Sequence, residues 1–132
     1  MSELFAYGTL RDREYQGALF DRTVPARPAT LPGWRAVVAD GGYLTIVPAA
    51  GDEVAGDLLT LDDAALAIAD AWEDVPLYRR VGVAVRPADG TAVNAQVYVR
   101  PSDSRERAPA GILARHPRED VLAQIRELRS LP

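Results

Sequence analysis

The sequence predicts an α+β fold, with a strongly twisted sheet flanked by helices, and three observations carry that reading. Short runs rich in β-branched and aromatic residues follow one another along the chain, bounded by Gly, Pro and Asp. Helices interrupt or close this series, most clearly at 60–74 and 118–131. The 132 residues show no repeat and no low-complexity tract, so a single domain over 1–132 is expected.

The first strand is the apolar run Leu4 to Tyr7, which stops at Gly8. Glycine permits a turn at positive φ and lets a ligand approach the main chain. The N–H groups of Thr9 and Leu10 then point off a strand end. Successive free N–H groups in a turn make a concavity suited to a carboxylate or phosphate. The same local sequence also ends strands that bind nothing.

A short helix is expected over Arg11 to Phe20, with Asp12 as its N-cap. Pro25, Pro28 and Pro32 bar a further helix, so Thr23 to Leu31 reads as extended and Pro32-Gly33 as a turn. Trp34 to Ala39 and Tyr43 to Val47 form a hairpin about Asp40-Gly41-Gly42. Pro48 to Asp52 reads as another turn. Glu53 to Leu61 is a strand in which Gly56 suggests a bulge or bend.

The clearest helix is Thr60 to Asp74, where Leu61, Ala65, Ile68 and Trp72 recur at helical intervals. Thr60 and Asp63 have capping-box spacing, and Pro76 ends the helix by biasing Val75 away from α. Leu77 to Arg86 and Thr91 to Arg100 form a second hairpin about Asp89-Gly90, with Val81, Val83 and Val85 on one face. Pro101 to Ala110 reads as a polar surface loop. Arg118 to Leu131 is an amphipathic helix that covers the domain's own core or serves a partner, so the chain is expected to be a monomer or a homodimer.

Composition excludes several chemistries. There is no cysteine, hence no disulfide and no thiolate metal site. Every basic residue is arginine, so no lysine can form a Schiff base. The single histidine, His116, rules out a two-histidine metal site and reads as a helix-start or surface residue. Ser102 and Ser104 have no histidine at a suggestive spacing, and no nucleophile elbow exists. A net charge of −4 argues against non-specific nucleic-acid binding, which needs a basic face. No apolar run reaches the length of a membrane span, and the N-terminus lacks the order of a signal peptide. A cytoplasmic location is therefore expected, with no membrane or nucleic-acid partner, no cofactor and no metal.

One residue has the setting for proton transfer. Glu73 stands at the end of the best helix, in Asp70-Ala71-Trp72-Glu73-Asp74. The negative end of the helix dipole, the charges of Asp70 and Asp74 and an apolar wall from Trp72 each favour the protonated acid. A raised pKa is therefore expected, and it suits a general acid/base near neutral pH. Of Arg79 and Arg80, one is expected in a salt bridge and the other in solvent.

Two motifs together, the strand into Tyr7-Gly8-Thr9-Leu10 and the run from Asp70 and Glu73 to Tyr78-Arg79 and a valine-rich strand, resemble the γ-glutamylcyclotransferase-like family. The order of elements is similar from Leu4 to Val99. The resemblance implies a barrel-like mixed sheet. It implies that the backbone at Gly8, Thr9 and Leu10 holds a γ-glutamyl group, that Glu73 is the acid/base, and that Tyr7, Tyr43, Tyr78 and Tyr98 line the substrate pocket. Tyr98 matches a late-strand tyrosine; Tyr43 takes an aromatic position that the family usually follows with proline, where Leu44 stands here. The implied reaction cyclises a γ-glutamyl amine or peptide to 5-oxoproline. The other reading is a non-catalytic module that binds a small carboxylated metabolite on the same fold.

Overall fold

The structure is a computed structural model that describes residues 1–74, 77–108 and 117–131. Five strands close into a barrel in the order β1-β3-β2-β4-β5. They are β1 (Ser2–Ala6), β2 (Ala26–Val38), β3 (Leu44–Leu61), β4 (Arg79–Pro87) and β5 (Val93–Val99). All neighbours are antiparallel except β1 and β5, which close the ring in parallel where Leu4 meets Gln96. Three helices flank it: α1 (Arg13–Phe20), α2 (Asp63–Trp72) and α3 (Arg118–Arg129). Closure is short, through Leu4 with Gln96 and through Ala29 and Thr30 with Pro87 and Arg86, and among the described residues 44–54 of β3 pair with β2 alone.

Alternation along the strands divides the apolar residues between two cores. In β1, Phe5 joins Leu31, Ile46, Leu58, Val85 and Val97 inside the barrel. Leu4 and Ala6 face the other way and pack with Leu59, Leu61, Leu19, Ala69 and Ile125 beneath the helices. The valines Val81, Val83 and Val85 do share a face, the inner one. Gly56 is buried, and a side chain there would run into the Ala6 carbonyl oxygen and come within 2.7 Å of Phe5 Cζ. That close approach, rather than a bulge, is what the glycine serves.

The expected turns at Pro32-Gly33 and Pro48 to Asp52 do not break the hairpin. β2 runs on to Val38, and its partner jumps from Glu53 opposite Pro32 to Pro48 opposite Trp34. Gly33 and Gly51, both at positive φ, absorb this irregularity. Long-range pairing on either side holds the strands together across residues that locally favour a turn. The reversal at 40–42 is a 3-10 turn with Gly41 and Gly42 at positive φ, closed by Ala39 N–H to the Tyr43 carbonyl at 2.7 Å.

α2 also starts later than its spacing suggests. Thr60 and Leu61 stay in β3, paired with Glu3 and Ser2. Asp62 caps the helix instead, accepting from Ala65 N–H at 2.8 Å. The stretch expected as a polar surface loop after β5 is irregular and at the surface over 101–108, and it lies along β2: Val38 N–H donates to the Glu106 carbonyl, and Ala108 N–H to that of Ala36. Val75 and Pro76, expected to end α2, the end of the polar loop at 109–110, and His116, expected at a helix start or the surface, lie outside the described residues. Among the described residues, no helix is long and apolar enough to cross a membrane.

Candidate active site

The site forms where β1 leaves the barrel. Gly8 turns the chain at φ −126° and ψ −134°, not at the positive φ expected, because a 3-10 turn over Thr9–Arg11 takes up the reversal. Arg11 N–H donates to the Gly8 carbonyl at 3.0 Å, and Asp12 N–H to that of Thr9 at 3.1 Å. The N–H groups of Thr9 and Leu10 open this turn and so have no acceptor within it. The wholly buried Gln16 of α1 donates from Nε2 to the Leu10 carbonyl at 2.9 Å, holding the corner against α1. Asp12 caps α1, as expected, through Glu14 and Tyr15 N–H.

Glu73 is the C-cap of α2, its N–H still donating to the Ala69 carbonyl at 2.9 Å. Asp74 follows in the left-handed region, at φ 56°, and ends the helix. This geometry directs Glu73 toward the corner. A cavity of about 60 Å³ is lined by Phe5, Ala6, Tyr7, Gly8, Thr9, Leu10, Tyr43, Leu44, Glu73, Tyr78 and Tyr98. All eight residues singled out in the sequence therefore meet around one hollow. Tyr43 stands at its rim, 44% exposed.

Burial alone pushes the Glu73 carboxyl from its ordinary 4.5 to about 7. The expected contributions of Asp70 and Asp74 are not the cause. Asp70 is neutralised by Arg80, whose Nε lies 2.9 Å from Oδ1, and it also accepts from the Tyr98 hydroxyl. Arg79 is the exposed member of the arginine pair. Around Glu73, burial followed by its negative charge raises Tyr7 well above 10, and the same two causes raise Tyr78 to about 12. For Tyr98, burial and the Asp70 hydrogen bond come first, with Glu73 adding to them. All three remain neutral hydroxyls at physiological pH.

Their protons are already committed. Tyr7 donates to the Tyr98 carbonyl at 2.7 Å, Tyr78 to the Leu44 carbonyl at 2.7 Å, and Tyr98 to Asp70 at 2.6 Å. These side chains wall the cavity, and Tyr7 is tied to the Tyr98 main chain.

A larger groove of about 650 Å³ adjoins the cavity and shares Thr9, Tyr43, Glu73 and Tyr78 with it. Its far wall comes from α3, through Val121, Gln124, Glu127 and Leu128. Sequence reasoning did not foresee α3 here, since its stripe reads as core packing or a partner contact, not as the wall of a groove. The Trp72 indole was also missed as a polar contact: its Nε1 donates to Thr9 Oγ1 at 3.1 Å, across 63 positions of chain. Its only sequence signal is adjacency to Glu73.

A closed five-strand barrel with an acidic helix end facing a glycine corner defines a cyclotransferase-type fold. The family model described as γ-glutamyl cyclotransferase, AIG2-like, matches residues 4–116, and the chain belongs to that family. Among solved structures, a protein of Arabidopsis thaliana is 27% identical, at a TM-score of 0.70, over 96% of this chain and 75% of its own. An AIG2-like protein of Mus musculus is 24% identical, at a TM-score of 0.64, over 90% of this chain and 97% of its own. A structure named γ-glutamyl cyclotransferase is 19% identical, at 0.68, over 99% and 81% respectively. The last two likenesses show the fold alone. No curated protein matches the chain.

Proposed function

We propose that this protein is a cytoplasmic, cofactor-independent enzyme that cyclises a γ-glutamyl amine or γ-glutamyl peptide to 5-oxoproline, with Glu73 as general acid/base. The observation that carries the reading is the desolvated Glu73 carboxyl, at about 7, in a cavity whose opposite wall is the Gly8–Leu10 corner.

The substrate supplies its own nucleophile. Its α-amine, entering neutral, attacks the γ-carbonyl carbon. Glu73, as carboxylate, takes a proton from the attacking nitrogen and then delivers it to the leaving nitrogen. The ring C–N bond forms, the γ-amide C–N bond breaks, and one amine is exchanged for another with no water consumed. A group with a pKa near 7 is suited to both sequential tasks. The amides of the corner bind the α-carboxylate or the developing oxyanion. Holding the substrate folded for ring closure supplies the rest, and such orientation is worth up to ~7–11 kcal/mol. The hydroxyls of Tyr7, Tyr78 and Tyr98 stay bonded to protein and confine the substrate, with Tyr43 at the mouth.

The test is a panel of γ-glutamyl amines and dipeptides incubated with the protein and with Glu73→Gln. Release of 5-oxoproline by the native protein and its loss in the variant is the expected result. Release that persists in Glu73→Gln removes Glu73 from the mechanism. Binding without release by the native protein favours a carboxylate-binding module.

A further inference from the structure

We propose that the Thr9 hydroxyl is a directed hydrogen-bond donor to the substrate and that Trp72 is the positioning residue that directs it. This rests on the γ-glutamyl reading of the site, and it assigns a side-chain contact where that reading uses only backbone amides.

An indole N–H donates and cannot accept, so the 3.1 Å contact makes Thr9 Oγ1 the acceptor. A threonine hydroxyl has one proton to give, and that proton must then point away from the indole. Among the described residues, no protein group accepts it. This distinguishes Thr9 from Tyr7, Tyr78 and Tyr98, whose protons all go to protein oxygens. Thr9 is half-buried and belongs to both the cavity and the groove, so the hydroxyl stands where the two meet. An acceptor oxygen of a bound γ-glutamyl group, carbonyl or carboxylate, satisfies the remaining proton there.

The indole also polarises that proton. Hydrogen bonds in series strengthen one another away from bulk water, so donation from Trp72 makes Thr9 a better donor. Trp72 precedes Glu73 in the chain. The same contact therefore ties the helix end that carries the acid to the corner that receives the substrate.

The experiment measures binding, independently of turnover, with glutaric acid monoethylamide as the probe, which keeps the carboxylate and the amide carbonyl of a γ-glutamyl amine but lacks the α-amine and so cannot cyclise. Calorimetry would compare the native protein, Thr9→Val, Thr9→Ser, Trp72→Phe and the Thr9→Val/Trp72→Phe double variant. Loss of the hydroxyl is expected to weaken binding about tenfold, whereas Thr9→Ser stays within about threefold of the native protein. Trp72→Phe keeps a ring in place and is expected to cost about threefold. It should cost nothing further once Thr9 is valine, the non-additivity that marks action through one hydroxyl. In the native protein, the Trp72 indole N–H resonance should move as ligand is added, a readout that needs no variant to fold. Thr9→Val binding like the native protein, full additivity in the double variant, an unmoved indole resonance or no binding by the native protein would each overturn the proposal. If 5-oxoproline release depends on Glu73 while the Thr9 and Trp72 variants bind normally, only this proposal fails. If binding follows Thr9 and Trp72 but no panel member is cyclised, the hydroxyl assignment stands and the enzyme reading fails.

Discussion

The Tyr98 hydroxyl donates to Asp70 Oδ1 at 2.6 Å, and Asp70 sits one helical turn before Glu73. Arg80 closes on the same oxygen from β4. Asp70 thus anchors the last turn of α2 to two strands, and the Tyr98 main chain in turn accepts from Tyr7 beside the corner. The acid and the corner are held by one connected set of contacts.

Removing that anchor has graded consequences. Tyr98→Phe deletes a bond to an ionised acceptor and is expected to cost ~1.5–3 kcal/mol. Asp70→Asn keeps an acceptor for Tyr98, loses a part-exposed ion pair and sets its amide NH2 against Arg80 Nη2, so about 1 kcal/mol is expected. Urea denaturation of both variants checks the order. A larger loss from Asp70→Asn than from Tyr98→Phe would contradict it.

The pH dependence of turnover follows from Glu73. The carboxylate takes the proton from the attacking amine, so kcat/KM should fall as pH drops through about 7. In Glu73→Gln the inflection near 7 should disappear, leaving only the limb set by protonation of the substrate's own α-amine. A native profile that is flat from pH 6 to pH 8 would be evidence against Glu73 as the base.

Stability should carry the opposite signature. The folded-state pKa of Glu73 lies above its unfolded value, so the native state holds a proton that the unfolded chain releases. Native stability is therefore greatest below about 4.5 for this group and declines as pH rises through about 7. The shift from 4.5 to about 7 corresponds to roughly 3 kcal/mol over that range. Glu73→Gln removes this dependence, so the variant should be more stable than the native protein at pH 8. Denaturation midpoints at pH 5 and pH 8 measure the difference, and equal slopes for the two proteins would refute it.

Gly56→Ala places a methyl group against the Ala6 carbonyl and the Phe5 ring, at the inner side of β1. Backbone cannot yield there without moving Tyr7 and Gly8, which follow directly. Overpacking of this kind is expected to cost ~1–3 kcal/mol and to disturb the site as well as the fold. Thermal melting together with 5-oxoproline release tests both. Native-like values for melting and release would show that β1 can shift freely.

Where the sequence alone misled, neighbours far along the chain had overruled local preference. Thr60 has the right spacing to start a helix, yet the ladder with β1 keeps it extended and Asp62 caps α2. Pro32-Gly33 and Pro48 to Asp52 are turn chemistry, yet 26–32 and 34–38 find partners on both sides of the interruption. Glu73 was legible as an acid at a helix end beside a family motif. The cause of its raised pKa was not, because Asp70 and Asp74 are visible as charges in a string, while the Arg80 that neutralises one of them and the enclosure that desolvates Glu73 appear only on folding.

By itself the sequence determined the alternation of strand and helix, the absence of cysteine and lysine side-chain chemistry, and the two motifs that carry the resemblance. These depend on residue type and spacing of a few positions, which local sterics and hydrophobic periodicity decide. The tertiary structure alone decided that Thr9 meets Trp72, that α3 walls the groove, and that three tyrosines spend their protons on the protein. Those facts depend on contacts between segments tens of residues apart, and only barrel closure brings such segments within hydrogen-bonding distance.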